Sequence, residues 1–84
     1  MQNNPLHQIK NYLTKSFFYP DAFIKPYRKF EQLGLNHIEF NEIVVQLESY
    51  NQITIPDASL KQVVTIGDLI KLVNYHKNTE FLPS

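Results

Sequence analysis

Three histidines, four serines and a row of carboxylates are the side chains in this 84-residue sequence that could move protons or attack a carbon. His7 and His76 lie near opposite ends of the chain, and no spacing places either beside His37. There is no HxxxH pattern, no CxxC pattern and no carboxylate–histidine cluster, so a metal centre has no basis in the sequence. Ser16, Ser49, Ser59 and Ser84 sit in no nucleophile motif. Cysteine is absent, which removes thiolate chemistry and disulfides together. His37 alone invites a functional reading, as a general base or a ligand. The plainer reading is an exposed residue at a helix start. No catalytic residue and no metal ligand is assigned, and the expectation is a protein that is not an enzyme.

The elements that must position these groups read as helices. Asn36, with Glu39 three residues on, has the form of a capping box, and the helix expected after it runs from about Ile38 to Ser49. Its apolar periodicity reads as the strongest in the chain. Ile38, Ile43, Leu47 and either Val44 or Val45 are expected to face the core, with Glu39, Glu42, Gln46 and Glu48 in water.

Upstream, Asn4 and Pro5 open a first helix that ends near Ser16, with Leu6, Ile9, Tyr12, Leu13 and Phe17 at helical spacing. Residues 18–32 are broken by Tyr19-Pro20-Asp21 and Lys25-Pro26 but hold too many aromatics for a free linker. An ordered loop with a helical turn at Asp21–Ile24 is expected there. Downstream, Ile53 and Ile55 bury along an extended connection, and a short helical turn covers Asp57 to Gln62. A last helix is capped by Thr65 with Asp68, and Ile66, Leu69, Ile70, Leu72, Val73 and Tyr75 form its core side. The fold class is all-α: three main helices plus one short helix, with a long loop between the first and second. One domain spans 1–84, its core about 5–76, with 77–84 as a loose tail.

Charge and composition narrow the function. Lys plus Arg and Asp plus Glu are both 8, so the net charge is zero, and a nucleic-acid partner is not expected. The distribution is uneven, because residues 31–60 carry Glu31, Glu39, Glu42, Glu48 and Asp57 with no Lys or Arg before Lys61. No apolar run reaches membrane length and the N-terminus has no leader-like pattern, so a cytoplasmic chain is expected.

The run Phe30-Glu31-Gln32-Leu33-Gly34-Leu35-Asn36-His37-Ile38 resembles the signature of the phosphopantetheine-binding carrier family, Leu-Gly-Leu-Asp-Ser-Leu. Glu42-Ile43 and Leu47-Glu48 fall where acyl carrier proteins have Glu-Leu and Leu-Glu pairs. Ile55-Pro56-Asp57 and Val64-Thr65-Ile66-Gly67-Asp68-Leu69 are similar to the family's later segments, and Tyr19-Pro20-Asp21 with Ile24 to its long first loop. The likeness covers residues 5–76 and keeps order and spacing.

The resemblance implies a small four-helix bundle of acyl-carrier-protein type. It also implies a module of fatty-acid or polyketide type pathways. The family attaches phosphopantetheine to the serine hydroxyl of Asp-Ser-Leu, and this chain has Asn36 and His37 there. No cofactor is therefore expected. The implied role is protein–protein docking through Glu39, Glu42, Val45 and Glu48, as a monomer, with a partner that presents a basic patch, such as a synthase or other biosynthetic enzyme. A solvated acidic face explains the same glutamates without a partner. The alternative is a genuine acyl carrier protein loaded in a non-standard way.

Overall fold

The computed structural model describes residues 4–81, with side chains through Lys77. Its four α-helices are α1 (Pro5–Phe17), α2 (His37–Asn51), α3 (Asp57–Leu60) and α4 (Ile66–Phe81). No strand is present among the described residues; a single antiparallel bridge joins Lys29 to Thr65. The architecture is an all-α bundle in which α1, α2 and α4 pack against one another.

Local chemistry sets the helix starts. Asn4 Oδ1 accepts from His7 N–H at 2.8 Å, and Pro5 occupies the first turn, where its missing N–H costs no helical bond. Thr65 Oγ1 accepts from Asp68 N–H at 3.0 Å, while the Asp68 carboxylate accepts from both Thr65 and Val64 N–H. Those two backbone bonds, Thr65 first, hold the Asp68 carboxyl below its ordinary range.

The core joins Ile9 and Leu13 of α1, Ile43, Val44 and Leu47 of α2, and Ile66, Leu69 and Val73 of α4. The long first loop adds Ile24, Phe30 and Leu33, and the extended link adds Ile53 and Ile55. Fully burying an apolar side chain of this size stabilises by about 1.5–3 kcal/mol. One buried polar pair crosses this core: Asn51 Nδ2 donates to Gln8 Oε1 at 2.9 Å and to Leu47 O at 2.8 Å.

Several elements differ from their sequence reading. Ile38 is 69% exposed, not core, because α2 turns it to the side opposite Ile43 and Leu47. Val44 takes the core place and Val45 points outward. With Ile38, Val45 and Tyr50 all outside, α2 is less one-sided than α1, contrary to the expected ranking. Tyr75 is likewise exposed. The turn expected at Asp21–Ile24 is a 3-10 turn over Asp21–Phe23, and a second one winds Phe30–Leu33. α3 stops at Leu60. α4 carries helical backbone past His76 to Phe81, where a loose tail was expected; residues 82–84 lie outside those described.

The loop between α1 and α2 is fastened to the start of α4. Phe30 N–H donates to Val64 O, Ile66 N–H to Arg28 O, and Gly67 N–H to Pro26 O at 2.7 Å. Gly67 is small for a reason: a Cβ there would sit 3.1 Å from Pro26 O. No helix among the described residues is long and apolar enough to cross a membrane.

Candidate functional site

The start of α2 is built from a turn and a cap. Gly34 closes the Phe30–Leu33 turn with φ 69°, a left-handed geometry that glycine adopts without strain, and its N–H donates to Glu31 O. The Tyr19 hydroxyl, arriving from the first loop, donates to Leu33 O. Asn36 then caps the helix: its Oδ1 accepts from Glu39 N–H at 2.8 Å, and Glu39 Oε1 accepts from Asn36 N–H at 2.9 Å. The capping box read from the sequence is formed in full.

His37 occupies the first turn behind this cap and is exposed. Its ring borders two adjoining grooves. One, of ≈ 400 Å³, is lined by His37, Phe40, Asn41, Asp57, Leu60 and Lys61. The other, of ≈ 320 Å³, runs from Phe30 and Leu35 past Asn36 and His37 to Leu60 and Val63. Phe40 and Leu60 supply an apolar lining to both, and Asp57 and Lys61 bring opposite charges to the rim of the first. No hydrogen bond or ion pair orients the His37 ring among the described residues, so the second group that would aim a general base is missing from its surroundings. Ser59 lines a different groove, with Asp68, Lys71 and Tyr75. No described group of three or more His, Asp or Glu could hold a metal ion.

A further groove lies on the outward side of α2. Tyr12 of α1 and Ile38, Asn41, Glu42, Val45 and Gln46 of α2 enclose ≈ 420 Å³. Ile38 and Val45, two helical turns apart, are 69% and 59% exposed and give this groove its apolar contacts. Glu42 is exposed beside them, its Oε1 accepting from the Tyr12 hydroxyl at 2.7 Å.

The expected docking residues divide between that groove and the scaffold. Glu42 and Val45 meet in it. Glu39 is spent on the Asn36 cap, and Glu48 is half-buried, its Oε2 accepting from Ile55 N–H at 2.8 Å. Sequence reasoning missed Ile38, which periodicity assigned to the core, and Tyr12, which comes from another helix. The signal for Ile38 was one of count: α2 has more apolar residues than one buried stripe can use.

The chain matches no model of a known protein family.

Proposed function

We propose that this protein is a carrier-protein-like binding module without a prosthetic group, which acts by docking a protein partner through the outward side of α2. The observation that carries the reading is the capped, exposed start of α2 with an imidazole where the resembled carriers have a serine hydroxyl. An imidazole has no hydroxyl to esterify, so the ordinary phosphodiester has no acceptor at that turn. Three main helices, a short one before the last and a long fastened first loop support the finer reading of an acyl-carrier-protein type of bundle.

The partner chemistry follows from the outward groove. Ile38 and Val45 offer apolar contact, Glu42 an exposed carboxylate, and residues 31–60 no cation to repel a basic surface. A basic patch around an apolar side chain complements this, on a synthase or other enzyme of a fatty-acid or polyketide type pathway. The module is then a cytoplasmic monomer with no chemistry of its own.

The ≈ 400 Å³ groove beside His37, lined by Phe40 and Leu60, favours one second reading, a carrier that holds its cargo without a covalent link. Intact mass after incubation with coenzyme A and a broad-specificity phosphopantetheinyl transferase tests both. The expected result is the unmodified mass under denaturing and native spray alike. A phosphopantetheine-sized gain under denaturing spray overturns the proposal, and a gain seen under native spray alone supports the second reading.

A further inference from the structure

The first loop carries a surface that docking through α2 leaves unused. Residues 25–28 form a tight turn in which Pro26 supplies the fixed φ of the second position and Arg28 N–H donates to Lys25 O at 3.0 Å. The turn is rigidly backed. Pro26 O and Arg28 O accept from Gly67 and Ile66 N–H at 2.7 and 2.9 Å, and Lys29 bridges to Thr65. Arg28 is oriented as well: its Nε donates to Phe23 O at 2.8 Å and its guanidinium lies 4.1 Å from the Phe23 ring centre. The same guanidinium is 5.6 Å from the ring of Tyr27, which stays 70% exposed at the tip.

Lys25 and Lys29 lie two residues before and after Tyr27 in the chain, and residues 22–30 contain no acid. The ion pair among the described residues is Lys10 with Asp21 at 3.7 Å, so the cations of the turn have no carboxylate of their own. Tyrosine and arginine are both enriched among interface anchors, and a rigid backbone spares part of the ordering cost of binding.

We infer that this turn is a recognition surface for an acidic polypeptide segment. Tyr27 packs on an aromatic or apolar side chain of that segment, and Lys25, Arg28 and Lys29 meet carboxylates on either side of it. The patch is short and bounded. Glu31 follows two residues after Lys29, and the Asp68 carboxylate sits on the N–H groups of Val64 and Thr65 next to the Lys29 bridge. A phosphate backbone or an anionic bilayer laid across the turn meets those acids, and a net charge of zero gives neither a long-range pull. A peptide that places two or three carboxylates around one ring fits between them.

The test is a titration of the ¹⁵N-labelled chain with a synthetic peptide of alternating glutamate and phenylalanine, at low and high salt. Parallel titrations use a short oligothymidylate and phosphatidylserine vesicles. Saturable amide shifts are expected at 25–30 and 64–67. Affinity is expected to fall with salt and to drop about tenfold in Lys25→Glu/Lys29→Glu. Tyr27→Ala, which removes an exposed ring and leaves the core intact, is expected to weaken it as well. Absence of saturable shifts there, or tighter binding of the oligonucleotide or the vesicles than of the peptide, overturns the inference. Shifts confined to 37–46 overturn it too, while leaving docking through α2 standing.

Discussion

The phenol of Tyr12 donates to the Glu42 carboxylate at 2.7 Å, thirty residues away in sequence, and so ties α1 to the outward side of α2. That bond makes Glu42 part of the bundle's construction and part of the groove at once. It also fixes Tyr12 as one wall of the groove that Ile38 and Val45 line.

The Tyr12 hydroxyl is pushed up from 10.0 to about 12, first by its hydrogen bond to Glu42, then by burial, then by the Glu42 and Glu39 charges. The folded value lies above the unfolded one. The stabilisation is therefore complete below pH 10.0 and is lost as pH climbs through about 12. Phenolate absorbance of the native chain minus that of Tyr12→Phe should isolate this late titration. Glu42→Gln should move its midpoint down. A difference curve centred at the ordinary tyrosine value in the native chain contradicts the bond.

Glu48 should behave as a scaffold residue. Ile55 is buried and its N–H has the Glu48 carboxylate as acceptor at 2.8 Å. Glu48→Ala should cost about 1–2 kcal/mol by leaving that donor unpaired, and Glu48→Gln, which keeps an oxygen in place, should recover most of it. Urea unfolding of the two variants measures the gap. Equal stabilities would return Glu48 to the solvated face. For the proposed docking through α2 the more informative substitutions are Ile38→Ser and Val45→Ser, since both side chains are exposed and the core does not use them.

What was legible in the sequence follows from the range of each interaction. Asn4, the Asn36–Glu39 box and the Thr65–Asp68 box act over three or four residues, so residue type and spacing were enough to place them. Alternation likewise exposed the burial of Ile53 and Ile55. The Phe30–Leu33 turn was invisible because no capping residue opens it; a Gln32 side chain reaching back to Lys29 N–H does that work. The pairs Tyr12–Glu42 and Asn51–Gln8 depend on how helices cross, which no local pattern encodes. Ile38 failed for a related reason. A helix in contact with both α1 and α4 spends its apolar residues on a crossing, and the seven-residue pair left over marks the groove.

Two helix ends should gain stability from glycine. Phe18 closes α1 at φ 60° and Gln52 closes α2 at φ 56°, both left-handed and both exposed, Phe18 to 85%. A side chain in that region costs about 1–2 kcal/mol, part of which glycine's greater freedom in the unfolded chain offsets. Gln52→Gly and Phe18→Gly should each raise stability by about 0.5–1 kcal/mol, read as a higher thermal midpoint in both. A lower midpoint for Phe18→Gly alone would show that its ring, despite its exposure, packs on something the bundle needs.

The first turn of α2 can be altered without disturbing its scaffold. In Asn36→Asp the carboxylate can still accept from Glu39 N–H, so the cap survives, and a charge at that end suits the helix dipole. His37→Ser removes an exposed ring that no hydrogen bond anchors among the described residues, so the double variant should keep its stability within about 0.5 kcal/mol. Its hydroxyl lies one residue past the cap, the position at which the proposed likeness to carriers calls for one. Incubated with coenzyme A and the transferase, the double variant should gain the phosphopantetheine mass while the native chain does not. If the folded double variant stays unmodified, the turn lacks more than its serine. The contacts a transferase reads on α2 would then be absent too, and the proposed likeness to carriers would lose its support at that turn.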